Sequence, residues 1–279
     1  MRLQIPTAAA LTLAIIMLTI ASLSSNQAQT ATGSIIVQST TSTANSGLYE
    51  HILPIFKANS GISVNIVAVG TGQAIKNARN CDGDVLLVHA KFAEQKFVAS
   101  GYGVKRFNLM YNDFIIVGPP TDPANINGMN DAIAAFKKIA TAKALFASRA
   151  DNSGTHKKEM YLWRTAKLDP TTHSGKWYRE TGSGMGATLN VAVGMRAYVM
   201  TDRATWLSFK NKRDFNILVE DDKKLFNQYG VTLVDAKKCP NTKTVLGQAF
   251  VKWLISKKGQ RAISSYNLNG QQLFFPNAN

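Results

Sequence analysis

Three times in this chain, hydroxyl and glycine residues gather where a short apolar run gives way to a helical pattern. Residues 35–37 lead into Ser39-Thr40-Thr41-Ser42, and residues 145–147 lead into Ser148-Arg149-Ala150-Asp151-Asn152-Ser153-Gly154-Thr155. A third, weaker case is Gly182-Ser183-Gly184-Met185-Gly186 ahead of a helical stretch near Ala187. The first turn of a helix exposes backbone N–H groups without internal partners, and the aligned peptide dipoles put partial positive charge there. Ser and Thr add donors in little space, and Gly lets a ligand approach the backbone, so these are parts for holding an oxyanion. Each segment taken alone also reads as an ordinary N-cap or turn. Arg149 tips the reading toward a ligand: it is a guanidinium inside the richest of the three helix starts, with Asp151 two residues on to orient it.

The chemistry that would make an enzyme is missing. There is no GxSxG, Walker A, HExxH or GxGxxG pattern, and His51, His89, His156 and His173 stand in no motif. His156 reads as a surface residue of a first helical turn. Cys81 and Cys239 have neither CxxC nor Cys/His spacing, so no zinc site or redox pair is expected, and whether they form a bridge stays open. No metal ligated directly by protein and no cofactor are expected.

Short β-branched runs alternate with helical stretches from residue 34 onward, the rhythm of βα units around a mostly parallel sheet. Strands are expected at residues 34–38, 63–68, 84–88, 113–117, 144–147 and 216–219. Helices are expected at 48–58, 129–140, 156–165, 187–199 and 244–256, where apolar residues recur three and four apart.

The net charge of +15 owes only Arg2 to the first 40 residues, leaving +14 on the rest. The excess lies in short separated groups such as Lys157-Lys158, Lys223-Lys224 and Lys257-Lys258, which indicates solvated faces of a folded body and not a disordered tail. A 45% hydrophobic content supplies a large core. Met1-Arg2 followed by mostly apolar residues 5–23 has the layout of a secretory signal, with an uncleaved anchor as the competing reading. Nucleic acid is not the expected partner, because the basic residues are scattered and aromatics do not interleave with them.

These residues together resemble the tungstate-binding receptors of ABC importers, within the two-lobed oxyanion-binding solute receptors. The resemblance rests on residues 39–48, on Val69-Gly70-Thr71-Gly72-Gln73-Ala74, on Asp84-Val85-Leu86-Leu87-Val88-His89-Ala90, on Met110-Tyr111-Asn112-Asp113-Phe114, on residues 148–155 and on Thr201-Asp202-Arg203-Ala204-Thr205. It runs from about Ser39 to Pro276. Two departures stand out: the family's first Thr is Ser39 here, and the Gly after the motif arginine is Ala150.

The resemblance implies an α/β fold of the type II periplasmic binding protein, with two lobes, two chain crossings and the ligand in the cleft between. The crossings are expected near residues 113–117 and 200–205. Residues 1–28 would then be a signal peptide, 29–113 plus 205–279 one lobe, and 114–204 the other. It implies a non-enzymatic, monomeric receptor in the periplasm or its equivalent, soluble after signal cleavage, that hands tungstate or molybdate to permease subunits. Ser39, Thr40, Thr41, Ser42 and Thr71 would hold the anion from one side and Arg149, Ser153, Gly154 and Thr155 from the other. Ser148, Asp151, His89 and Met185 would stand behind or beside them. A phosphate receptor is the alternative, because Arg-x-Asp-x-Ser-Gly-Thr also resembles the segment phosphate receptors use; an exported enzyme acting on phosphorylated or sulfated substrates is a more distant one. His89 bears on that choice: as a donor in place of a carboxylate acceptor it would favour a fully deprotonated anion.

Overall fold

A computed structural model describes residues 33–278. The expected signal segment and its cleavage points lie outside these residues.

The first strand, β1 (Gly33–Thr40), runs parallel to β2 (Ile62–Val69) and to β3 (Val85–Val88). Helices Leu48–Ser60 and Thr71–Arg79 connect these strands, and helix Lys91–Ala99 follows. The next strand, β4 (Gly103–Gly118), is sixteen residues long, where the sequence suggested only its last part. Beyond it come β5 (Phe146–Ser148), β6 (Tyr178–Glu180), β7 (Tyr198–Asp202), β8 (Asn216–Val219) and β9 (Phe226–Val234). The sheet order is β2-β1-β3-β9-β4-β7-β5-β6, with β8 and residues Phe275–Pro276 also pairing with β4.

The sheet is therefore mixed and not mostly parallel. Its flanks are parallel, β2-β1-β3 on one side and β6-β5-β7 on the other, while β9 and β4 in the centre pair antiparallel to their neighbours. Long β4 changes partner midway. Residues 103–113 pair with β9, and from Phe114 onward the partner is β7.

That switch separates two sets of cores. Up to β3 and again from β9, Ile35, Val37, Val85, Leu87, Tyr229 and Phe250 pack together, while Leu86 and Val88 point to the opposite face with Ala74, Ala78 and Phe97. Beyond Asp113 the same period of two recurs. Phe114 and Ile116 pack with Phe136, Trp163 and Tyr198, and Ile115 and Val117 pack with Met185, Leu189 and Trp206. Both faces of each half-sheet are covered, which is why these strands read as continuous apolar runs.

Residues 205–225, expected with the first lobe, pack mostly with the second set. Ala204 reaches the first core, but Trp206, Phe215, Leu218, Val219 and Leu225 lie in the second, and β8 pairs with residues 116–118. Arg203 ties this region to the partner switch, with Nε and Nη2 donating to Asp113 at 2.8 and 2.6 Å and Nη1 2.8 Å from Glu220. Cys81 and Cys239 are bridged, which joins the turn after helix Thr71–Arg79 to the segment following β9. Among the described residues, no helix is long and apolar enough to cross a membrane.

Candidate functional site

Four helices begin at one place. The stretch Thr41–Asn45 starts where β1 ends, with Thr40 in an extended conformation and no side-chain cap. Helices Thr71–Arg79 and Met185–Met195 start after Gly70 and Gly184, again without side-chain caps. Helix Gly154–Thr165 is capped by Ser153, whose hydroxyl accepts from the His156 N–H at 3.2 Å. Uncapped first turns leave N–H groups available to an anion.

Close contacts show the convergence. The Gly154 N–H donates to Thr71 Oγ1 at 3.0 Å. A Cβ placed on Gly154 would stand 2.7 Å from the His89 ring, one on Gly72 would stand 2.6 Å from Asn152 Nδ2, and one on Gly184 would stand 3.9 Å from Thr41 Oγ1. The Ser42 hydroxyl lies 3.3 Å from His89 Nε2. Elements of both halves of the sheet thus meet around His89.

Within this space three donors are buried without a hydrogen-bond partner: Thr41 Oγ1, Thr155 Oγ1 and Arg149 Nε. Arg149 is 2% exposed, and its Nη2 donates to Asp151 Oδ2 at 2.5 Å. Asp151 Oδ1 also accepts the Ser153 N–H at 3.1 Å, so one carboxylate orients the guanidinium and shapes the loop. That loop turns through two left-handed residues, Ala150 at φ 48° and Asn152 at φ 57°. Glycine suits such a conformation and alanine strains it, which gives the Ala150 departure a small local cost.

The other expected residues divide by what their protons do. Ser39 Oγ donates to the Leu87 carbonyl at 2.9 Å and is hydrogen-bonded to the Tyr49 hydroxyl. Its one proton is spent on the backbone, so Ser39 holds β1 to β3 and has no donor to offer an anion. Thr40 Oγ1 bonds Thr43 Oγ1 at 2.8 Å and Ser42 Oγ at 3.3 Å. Ser148 turns inward, donating to Glu159 Oε2 at 2.9 Å. Met185 is fully buried in the second core beside Leu189.

Electrostatically the pocket holds a cation between carboxylates. Burial raises the Asp202 carboxyl, opposed by hydrogen bonds from Thr205 and the charge of Arg149. Glu159, under Ser148, is pushed up to about 7 by burial, opposed by donation from Tyr178, Ser148 and Trp163. Burial lowers His89 to about 4, against the Asn227 hydrogen bond and helped by Arg149 and Lys157, so the imidazole is neutral at pH 7. His156 Nδ1 accepts the Asn152 N–H at 3.1 Å, which ties the ring to the loop before its helix. Donors without an activated nucleophile can bind an anion and hold it unchanged.

Sequence reasoning missed Asn112, Asn227, Asn152 and Glu159. Asn112 and Asn227 each follow an aromatic residue in a strand that mixes polar and apolar residues, so nothing in the sequence marked them as inward-pointing.

Residues 25–258 match the PBP superfamily domain. The tungstate-binding protein TupA of Peptoclostridium acidaminophilum is 46% identical over 252 residues, 89% of this chain and 87% of that protein. Among solved structures, the tungstate-binding protein TupA of Desulfovibrio alaskensis G20 superposes with a TM-score of 0.76 at 45% identity, covering 88% of this chain and 100% of that one. The tungstate ABC transporter structure from Geobacter sulfurreducens gives a TM-score of 0.76 at 44% identity, covering 84% of this chain and 98% of that one.

Proposed function

The chain belongs to the PBP superfamily and, within it, to the TupA group, and from that premise we propose that it is the extracytoplasmic receptor of an ABC importer for a tetrahedral oxyanion, tungstate first and molybdate second. The observation that carries this reading is the set of three buried, unpartnered donors, Thr41, Arg149 and Thr155, contributed from both halves of the sheet. An unsatisfied buried donor costs about 1–3 kcal/mol, so three in one pocket are retained for something that accepts from them. A fully deprotonated tetrahedral anion only accepts hydrogen bonds and suits every one. Thr40, Ser42 and Thr71 complete the hydroxyl lining, and the Gly154 N–H, now on Thr71, is a donor the anion competes for. Ser39 acts through β1 and not by contact.

The lobes in this reading divide where the packing does. Residues 33–113 with 226–278 form one and 114–225 the other, with crossings at the β4 partner switch and at the start of β9. Binding draws the lobes together on the anion, and the closed form is what permease subunits receive. The protein is exported, acts as a monomer, and performs no chemistry on its ligand.

Calorimetric titration with tungstate, molybdate, sulfate and phosphate, beside an Arg149→Ala variant, tests this. Tight tungstate binding with weak sulfate and phosphate binding is expected. The variant should weaken binding thirtyfold or more, since truncating one partner of a buried charged hydrogen bond costs about 2–5 kcal/mol. Preference for phosphate would reassign the ligand, and binding of none of the four would overturn the receptor reading.

A further inference from the structure

We infer that Asn112, Asn227 and His89 form a hydrogen-bond relay that frees the Ser42 proton for donation, so that the site favours fully deprotonated oxyanions over those that keep a proton. This deepens the oxyanion reading and rests on it.

The four residues form one buried chain. Asn112 Oδ1 lies 2.7 Å from Asn227 Nδ2, Asn227 Oδ1 lies 2.9 Å from His89 Nδ1, and His89 Nε2 lies 3.3 Å from Ser42 Oγ. None exceeds 6% exposure. The imidazole is buried and stacked on Tyr229 at 4.9 Å, with Gly154 close to its edge. The cations that face it, Arg149 and Lys157, oppose a second proton, as does burial. A neutral ring carries one proton, and which nitrogen holds it decides what Ser42 can do.

With the two amides as they stand, Asn227 Oδ1 requires the proton on Nδ1. Nε2 then takes the Ser42 proton, and Asn112 Nδ2 is left buried without a partner. Turning both amides over exchanges only oxygen and nitrogen. Asn112 Nδ2 then donates to Asn227 Oδ1, which also accepts from the Tyr229 hydroxyl 3.4 Å away, and Asn227 Nδ2 donates to His89 Nδ1. The ring proton moves to Nε2 and donates to Ser42 Oγ. No donor in the chain is stranded; the unpartnered atom becomes the Asn112 carbonyl oxygen in place of its amide nitrogen. Ser42, accepting from His89, keeps its own proton, for which a ligand oxygen competes with Thr40 Oγ1 at 3.3 Å. A monoprotonated anion has one hydroxyl lone pair fewer to receive its proton on this side, which lowers its affinity relative to a fully deprotonated anion.

Two measurements on the full protein test the relay. Long-range proton–nitrogen correlation spectra of histidine-labelled protein, with His89→Gln to assign the signal, should show His89 as the Nε2–H tautomer at neutral pH. A proton on Nδ1 would overturn the relay whatever the anions do. Titrations with tungstate and phosphate then compare wild type with Asn227→Leu. The tungstate-to-phosphate affinity ratio should fall at least tenfold in Asn227→Leu and be preserved in His89→Gln, whose amide still donates. An unchanged ratio in Asn227→Leu, with that variant folded by its melting curve, would overturn the selectivity role. Absence of tungstate binding in wild type would instead defeat the receptor reading, and the spectra would still report the tautomer.

Discussion

Ser39 and Thr155 are both fully buried hydroxyls at the ends of strand-to-helix turns, and their protons have opposite fates. Ser39 spends its proton on the Leu87 carbonyl, 48 positions away, while Thr155 has no partner. Replacing Thr155 with Val removes a stranded donor without changing shape. Anion affinity should drop at least tenfold, about the worth of a hydrogen bond to a charged group, while the melting temperature of anion-free protein holds or rises. Ser39→Ala should do the reverse, costing about 1–3 kcal/mol of stability with little change in affinity. Calorimetry and thermal melting on both variants decide it, and an affinity loss confined to Ser39→Ala would remove Thr155 from the site. Sequence alone brings the candidate segments forward, because hydroxyls, glycine and Arg149 are dense there. It cannot say which hydroxyl is free, because that depends on Leu87, Glu159 and Thr71, residues that only the fold brings near.

Elements meet at this site through glycine. Gly154 opens its helix against His89, and a Cβ there would stand 2.7 Å from a ring that is buried and stacked on Tyr229. If the lobes part in the anion-free protein, Gly154→Ala falls on closure alone: affinity should fall at least tenfold while anion-free stability stays nearly unchanged. Equal losses in melting temperature and affinity would instead mean that these elements never separate. Much of the parallel flanks was legible, since β1, β2, β3 and β5 lie close to the expected residues. The centre was not. Most of β4 and all of β9 mix polar and apolar residues, as in Asn227-Gln228-Tyr229, and there the polar Asn227 points inward to the His89 relay. The helix expected to reach residue 199 stops at Met195, where Arg196 turns left-handed at φ 54°, and the apolar residues after it form β7. Periodicity could not separate the two because the buried helix and buried strand are equally apolar.

For the whole molecule, the question is what a net charge of +15 does for a site whose one guanidinium is already paired with Asp151. Locally Asp151 balances the guanidinium and burial raises the Asp202 and Glu159 carboxyls, so affinity must come from short-range donors in a buried space. The excess charge acts at longer range. Lysines in short groups over an exposed surface raise the local concentration of a dianion and speed its encounter. Salt separates the two contributions, because the screening length shrinks from about 30 Å at 0.01 M to about 8 Å at 0.15 M, while a buried pair is barely screened. Rapid-mixing measurements of tungstate binding, followed by intrinsic fluorescence across that range, should therefore show an association rate falling several-fold and a dissociation rate that hardly moves. A dissociation rate rising as steeply as association falls would place surface lysines in direct contact with the anion, and the neutral-donor account of the pocket would have to be replaced by one built on exposed charge.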